Sequence, residues 1–521
     1  MNLVYTYDKK FRGWFGEKFP LMAGSILGGI MTYFMLLSCD LVNSLDGMWH
    51  TSNFVAGNWE ISLGRGLLRY WDKLRFGVVS VATNSVITIV IIALCVPVIL
   101  DLFQIKNKVV SALVAGVIVV NPTVCCTLTY SYHSVNYGIA FFFAVMTVCC
   151  IYHIGRKNSF LGIFLGGGML AVTMATYQPY MGVACVLLLL LVIDMLLKRC
   201  DSKSIIRHII TSLISIPVGG VFYWIFTQLM LRRAGMELAG YGGAGSVSVG
   251  KILMNLPASL INCYRLFFDF FVSYEMNLPL SMTKLLLIGI GIFFLICVIH
   301  QFLRLWRYHI GYGITFLVAV LLLPVGCDFV TIVAVGSGLS QLMTLSLVLA
   351  VALIWIIVPG EKTFGYIMKR LYSLLMLLLI WFSLMAVTND QLALKEGKTA
   401  TLSLAENMIN VLIEEGYFEE NPVFAFVGRP AENPLFAQSP AFQNANEYAK
   451  FGCFSVTAGN LTRTWSGIFH NYYGMNMNLC GEAQYDALRG SEAVKQMPVF
   501  PKEGSIREID GIIVVKVSEM Y

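Results

Sequence analysis

The feature that most constrains this chain is a succession of apolar runs, each about as long as a bilayer is thick, separated by segments of alternating charge character. A helix needs about 20 mostly apolar residues to cross the hydrocarbon core. Eleven runs qualify: Leu21–Cys39, Val78–Leu100, Val109–Thr129, Tyr137–Ile154, Phe160–Thr176, Pro179–Leu197, Ile209–Leu231, Lys284–Leu303, Tyr312–Val335, Leu339–Val358 and Ile367–Thr388. Tyr177-Gln178-Pro179 separates the fifth run from the sixth; without that polar break the two read as one long run. Composition points the same way. Apolar residues make up 57% of the 521 residues and charged residues 13%, about half the charged share of a soluble domain. An ordinary soluble enzyme, a disordered chain and a nucleic-acid binder are excluded, and no nucleic acid is expected among the partners. The expected class is an α-helical polytopic membrane protein, with membrane lipids around it.

Loop charge tests the count. Lys9, Lys10, Arg12 and Lys18 precede the first run, which ends without a small-residue cleavage site and so reads as a signal anchor. The even connections carry Lys106 and Lys108, Arg156 and Lys157, Lys198 and Arg199, Arg304 and Arg307, and Lys362 and Lys369. The positive-inside rule assigns these to the cytoplasm. The N-terminus is then cytoplasmic, and the long connections 43–77 and 232–283 are extracytoplasmic. From Asp390 onward 16 Asp and Glu outnumber 10 Lys and Arg, although the whole chain is net +6. The acidic tail is long enough to fold by itself. Two domains are therefore expected: a transmembrane module over 1–388 and an extracytoplasmic α/β domain over 389–521. In that tail Ala405–Glu415 reads as helix, and Pro422–Gly428 and Ile512–Val517 read as strands. Cys453 and Cys480 also fall there, where an oxidising exterior would allow them to pair.

The first long connection carries most of the chemistry. Over Trp59–Arg75 the residues Trp59, Leu63, Leu67, Tyr70, Trp71 and Leu74 recur at helical spacing, which predicts one amphipathic helix lying in the interface. Arg65 and Arg69 share another face of that helix. The planar guanidinium fork suits a lipid phosphate. Arg232, at the opening of the second long connection, is a third candidate for that phosphate. Asp46 lies about six residues beyond the first run, at the depth where a carboxylate would take a proton from an attacking hydroxyl. Asp40 and Glu60 are rival carboxylates; Asp40 is expected to be buried at the end of the run. Other polar groups collect at the same depth: Trp59, His133 after the third run, Tyr177 and Gln178 after the fifth, and Asp328 near the end of the ninth. Asn121-Pro122 and Pro324 are expected to kink their helices and shape a cavity. Gly240–Gly245 lacks the spacing of a P-loop and reads as a loop over the site, with Phe267, Phe268, Phe270 and Phe271 marking a second interfacial helix. No metal-ligand spacing is evident, and metal dependence stays open.

Asp46, the run Trp59-Glu60-Ile61-Ser62-Leu63-Gly64-Arg65, the step Ala175-Thr176-Tyr177-Gln178 and Pro422–Gly428 occur in an order that resembles the bacterial Gtr type II glucosyltransferases. These are membrane glycosyltransferases of the GT-C class. Where relatives often carry an acidic pair in the first outer loop, Asp46 is followed by Gly47, which leaves Asp46 and Glu60 both open as the functional carboxylate. The resemblance implies a GT-C-like fold in the bacterial inner membrane and an inverting transfer of glucose or a similar hexose. The donor would be a polyprenyl-phosphate sugar and the acceptor a surface glycan such as O-antigen. It also implies a separate donor synthase and a small flippase, and no certain cofactor. The alternative is a transporter or flippase of a lipid-linked sugar. Against it, no internal repeat is evident, and the ionisable residues cluster at helix ends rather than at the midplane.

Overall fold

Helices account for most of the chain, and their breaks decide which polar groups meet. The computed structural model describes residues 2–43, 46–50, 53–240, 249–272, 281–334, 338–360, 362–418, 422–439, 443 and 461–519. α1 (Asn2–Thr32) turns at Tyr33 into α2 (Phe34–Ser38). Three short helices follow, α3 (Asp46–Trp49), α4 (Asn58–Ser62) and α5 (Leu68–Leu74). α6 (Val81–Leu102) leads to the bent pair α7 (Lys108–Val119) and α8 (Pro122–Thr129). α9 (Ser134–Cys149) ends in a π turn, and α10 (Ser159–Tyr177) precedes α11 (Met181–Leu197). Then come α12 (Ser202–Ala234), α13 (Val249–Val272), α14 (Ser281–Tyr308), α15 (Ile310–Leu321), α16 (Leu323–Cys327), α17 (Val330–Val333), α18 (Leu345–Ala352) and α19 (Lys362–Glu414).

Among the described residues, six of the helical stretches are long and apolar enough to cross a membrane, or seven if the bent pair α7–α8 counts as one. The eleven runs read from the sequence are not reproduced as eleven such helices, and the reasons are local. The first run is interrupted at Tyr33. The third bends by 42° at Asn121-Pro122, where Pro122 has no N–H to continue the ladder. The Asn121 side chain instead accepts from Val124 N–H and donates to the Val117 and Ile118 carbonyls. The ninth breaks into α15, α16 and α17, with Pro324 in the first turn of α16. The tenth run shortens to α18 and a 3₁₀ turn.

The stretch 159–197 doubles back. Tyr177 is extended, with φ −154° and ψ 101°, so the 3₁₀ turn Gln178–Tyr180 reverses the chain between α10 and α11. Its two ends meet the same set of basic connections. Arg207 donates to Arg156 O at 3.0 Å before α10, and Lys198 Nζ donates to Phe103 O at 3.2 Å after α11. At that end Lys18 also pairs with Asp101 at 2.8 Å, and Arg304 donates to Leu197 O at 3.0 Å. The other end gathers α3, α4, α5, the Tyr130–His133 loop and the Gln178 turn. Of the apolar window in 159–197, 89% is buried, against 22% in α12. The α10–α11 hairpin is therefore central. α12 turns Leu213, Val221, Trp224 and Leu229 outward, an apolar belt suited to lipid tails. α13 likewise buries Cys263, Leu266 and Phe270 and exposes Ile261 and Phe268.

α19 runs unbroken for 53 residues, so the last apolar run continues as helix across position 388. Beyond it, β1 (Val423–Val427), β2 (Ile506–Ile509) and β3 (Ile512–Lys516) form a sheet of order β1-β3-β2, with β1 parallel and β2 antiparallel to β3. α20 (Leu461–Tyr473) packs Trp465 and Phe469 against Phe426 of β1. It also rests on α3, where Asn471 donates to Met48 O at 2.7 Å and Gly467 lies against Trp49. Cys480 is buried; its expected partner Cys453, like residues 241–248 of the glycine-rich loop, lies outside the described residues.

Candidate active site

The first connection folds around a glycine. Gly64 has φ +75°, the left-handed region that glycine enters without penalty. A Cβ there would collide with the Tyr223 hydroxyl and crowd the Gln178 amide. The chain therefore breaks at 63–67, and the single amphipathic helix expected over Trp59–Arg75 is two short helices set apart. The periodic stripe splits accordingly. Leu63 and Leu68 are buried, while Trp59 and Leu74 are 55% and 73% exposed.

The break aims Arg65 inward. Its Nε donates to Gln178 Oε1 at 2.9 Å, and its guanidinium lies 5.1 Å over the Tyr177 ring. Gln178 is held in turn: its Nε2 donates to Leu63 O at 2.6 Å and to Tyr223 Oη at 3.1 Å. The same step anchors α5, because Leu67 N–H donates to Ala175 O at 3.1 Å and Trp71 Nε1 to Thr176 Oγ1 at 3.0 Å. Among the described residues, the two terminal nitrogens of Arg65 make no hydrogen bond. A planar pair of donors thus stands ready beside a buried aromatic face.

Asp46 opens α3, which Asn43 ties to the end of α8. Asn43 N and Nδ2 both donate to Thr129 O, and Asn43 Oδ1 accepts from Gly47 N–H at 3.1 Å. A Cβ at Gly47 would stand 2.7 Å from Val42 Cβ, so the position after Asp46 has no room for a second acid. Asp46 lies within electrostatic reach of Tyr132 and Tyr137, and Tyr132 also senses Glu60. Burial, with these carboxylates nearby, pushes the Tyr132 hydroxyl well above its ordinary range. Glu60 is committed to the backbone: its Oε2 accepts from Gly57 N–H at 2.6 Å in a capping box at the start of α4. Asp40 is exposed rather than buried, with a left-handed backbone at φ +52°, and its carbonyl accepts from Lys398 at 2.9 Å.

His133 sits between these groups. Its ring lies 4.3 Å from Tyr132 and 5.3 Å from Phe54, and the His50 ring lies tilted 4.6 Å from Tyr132. Burial holds the His133 imidazole well below its ordinary value, and the Arg65, His50 and Arg75 charges push the same way. His133 is therefore neutral at physiological pH. Below it lies an ionic hub that sequence reading missed. Asp72, fully buried, accepts from Arg75 Nη2 at 2.7 Å, Asn136 Nδ2 at 2.7 Å and Ala56 N–H at 2.9 Å. Arg75 Nη2 also donates to Tyr132 O at 2.6 Å. Only the spacing Asp72-x-x-Arg75 hinted at this pair; Asn136 comes from another helix.

The expected site residues thus divide. Asp46, Glu60, Arg65, His133, Tyr177 and Gln178 gather at one end of the bundle. Arg69 faces its own loop, donating to Ala56 O at 2.9 Å and Asn58 Oδ1 at 3.0 Å. Trp59 is exposed, and so is Arg232 in the last turn of α12, whose Met230 and Leu231 pack on Ile61. Asp328 follows Cys327, whose carbonyl packs against Gly182 in the first turn of α11. Asp328 is fully buried, its two carboxylate oxygens make no hydrogen bond among the described residues, and its main chain faces Cys263 and Thr331. Among the described residues no three His, Cys, Asp or Glu side chains are placed to hold a metal ion.

A fork of donors and a carboxylate at the end of an apolar bundle suit the transfer of a phosphate-linked group. Residues 34–378, about two thirds of the chain, match the family model for Glucosyl transferase GtrII. The chain belongs to this family. As a GtrII glucosyl transferase it is a membrane glycosyltransferase, acting between a sugar donor and a glycan acceptor. The match takes in every residue gathered around Arg65 and stops within α19, so the β1–β3 sheet and the expected motif Pro422–Gly428 lie beyond it. No curated protein and no solved structure matches this glucosyl transferase.

Proposed function

We propose that this GtrII protein moves glucose, or a similar hexose, from a polyprenyl-phosphate donor to a surface glycan, with inversion, at the extracytoplasmic end of the bundle in the bacterial inner membrane. The observation that carries the reading is Arg65, fixed by Gln178 and Tyr177 with its terminal nitrogens open. The acceptor hydroxyl attacks the anomeric carbon and its proton passes to Asp46. The bond from that carbon to the phosphate oxygen breaks, and the electron pair leaves with the phosphate. Negative charge grows on the leaving phosphate, and Arg65 stabilises it where water is scarce. Tyr177, Tyr137 and the His50–Tyr132–His133 cluster form an aromatic wall for the sugar ring. Asp46 is favoured as base over Glu60 for its position: it opens α3 just past the first apolar run, within electrostatic reach of Tyr132 and Tyr137. The α20–α3 contact makes the tail a neighbour of the helix that Asp46 opens.

The test is transfer of radiolabelled sugar in membranes containing this protein, a synthetic polyprenyl-phosphate hexose and a glycan acceptor. Incorporation into glycan that depends on Arg65 supports the reading. Movement of the lipid-linked sugar across the bilayer without transfer replaces it with a flippase.

A further inference from the structure

At the end of the bundle opposite the candidate active site, a cleft of about 490 Å³ opens between the end of α11 and α14. Its walls are Arg199, His300, Leu303, Arg304, Arg307 and Tyr308. The spacing 300, 304, 307 places the three basic side chains of α14 on one helical face. Arg199 comes from the other wall. It ends α11 with a left-handed backbone at φ +54°, and its guanidinium lies 4.2 Å over the Tyr308 ring. Arg304 is steadied by its bond to Leu197 O, and His300 stacks on Phe364 at 5.1 Å, its buried Nδ1 without a hydrogen bond among the described residues.

Two of the basic groups at the same end are charge-balanced. Lys18 is paired with Asp101 and Lys198 with Asp194. Arg199 and Arg307 are exposed, and neither makes an ion pair among the described residues. Among the described residues no carboxylate lines the cleft. We propose that it is a binding site for a phosphate group, presented by the headgroup of an anionic membrane lipid or by a free pyrophosphate-like anion. Guanidinium groups from the turn after α11 and from α14 line the same cleft, a donor set suited to phosphate oxygens. Exposed Leu303, Trp306 and Ile310 beside it provide an apolar surface on which acyl chains can lie.

The experiment is native mass spectrometry of the purified, delipidated full-length protein. It is titrated separately with cardiolipin, phosphatidylcholine and inorganic pyrophosphate. The expected result is a saturable adduct with cardiolipin or pyrophosphate and none with phosphatidylcholine. Cardiolipin alone identifies a lipid headgroup, and pyrophosphate alone identifies a soluble anion; either supports the site. Each guanidinium removed should weaken binding about fivefold, so Arg199→Gln with Arg307→Gln should lose about twenty-fivefold, and Arg307→Lys less. Equal binding by wild type and the double variant overturns the proposal. If the double variant does not fold, the wild type decides: adducts that fail to saturate, or form equally with phosphatidylcholine, overturn it.

Discussion

Arg65 and Gln178 stand 113 positions apart in the chain and meet through a 2.9 Å hydrogen bond from the guanidinium Nε to the amide Oε1. The amide is itself held by Leu63 O and Tyr223 Oη. The orientation of the Arg65 fork is therefore set by three segments of the chain, and the first prediction follows from it. Arg65→Ala removes the charge and the fork and is expected to lower transfer by about a hundredfold or more, the cost of a lost transition-state donor. Gln178→Leu keeps the charge but frees its orientation and should fall between. Sugar incorporation at matched protein level checks both; wild-type rates in Arg65→Ala would remove Arg65 from the mechanism.

Gly64 gives the second. With φ +75° and no room for a Cβ, Gly64→Ala is strained by about 1–2 kcal/mol from the backbone alone, and the methyl group must displace Tyr223. The variant should lose thermal stability and transfer together. Tyr223→Phe in the Gly64→Ala background removes the colliding hydroxyl and should return part of the stability. A melting curve for Gly64→Ala equal to wild type would mean that the turn at 64 tolerates a side chain.

This glycine also shows why the site was only partly legible in the sequence. Trp59, Leu63, Leu67, Trp71 and Leu74 fit a 3.6-residue period, and two short helices joined at a left-handed residue preserve much of that spacing. What the period does not reveal is the left-handed turn at Gly64 and its close approach to Tyr223, which depends on how α12 packs. Distance to the run ends is readable in a sequence, and Asp46, His133, Tyr177 and Gln178, chosen by it, lie at one end of the bundle. Lateral neighbours are not readable: nothing in the sequence places Cys263 and Thr331 at the main chain of Asp328. Some breaks in the runs are legible and others are not. Pro122 and Pro324 announce theirs, whereas the turn at Tyr33 interrupts the first run with no proline or glycine at that position.

Asp72 carries the third prediction. It is the shared acceptor for Arg75, Asn136 and the Ala56 amide. Asp72→Ala leaves Arg75 buried without its counter-charge, a change worth about 3–5 kcal/mol. Expression and melting temperature should both fall sharply. Asp72→Asn keeps the shape and should be intermediate. Wild-type stability in Asp72→Ala would show that Arg75 finds another partner.

His133 supplies a pH dependence. Its folded-state value is depressed, so below the unfolded value of about 6.5 the unfolded chain binds the proton more readily. The stability associated with neutral His133 is present above about pH 6.5 and is lost as pH falls below it. His133→Phe fills the site without a titrating group, so its melting temperature should vary less than that of wild type between pH 7 and 5, values on the scale of the histidine titration. Parallel pH profiles for the two proteins would assign the effect to another group.

The last prediction separates the two carboxylates. Asp46 begins a four-residue helix held by Asn43 and lies within electrostatic reach of Tyr132 and Tyr137. Glu60 spends one oxygen on Gly57 N–H, so its loss removes a cap worth about 1 kcal/mol. Asp46→Asn should leave protein level unchanged and lower transfer by at least about a hundredfold, the lower range of general-base assistance. Glu60→Gln retains an oxygen for the capping box and should transfer at near wild-type rate with a slightly lower melting temperature. The two variants are assayed side by side with the same donor. A dead Glu60→Gln beside an active Asp46→Asn would move the base to Glu60 and leave Asp46 as the start of the helix on which α20 rests. Loss in both, at unchanged protein level, would mean that proton acceptance needs the pair, with Tyr132 sensing both charges because they act on one point.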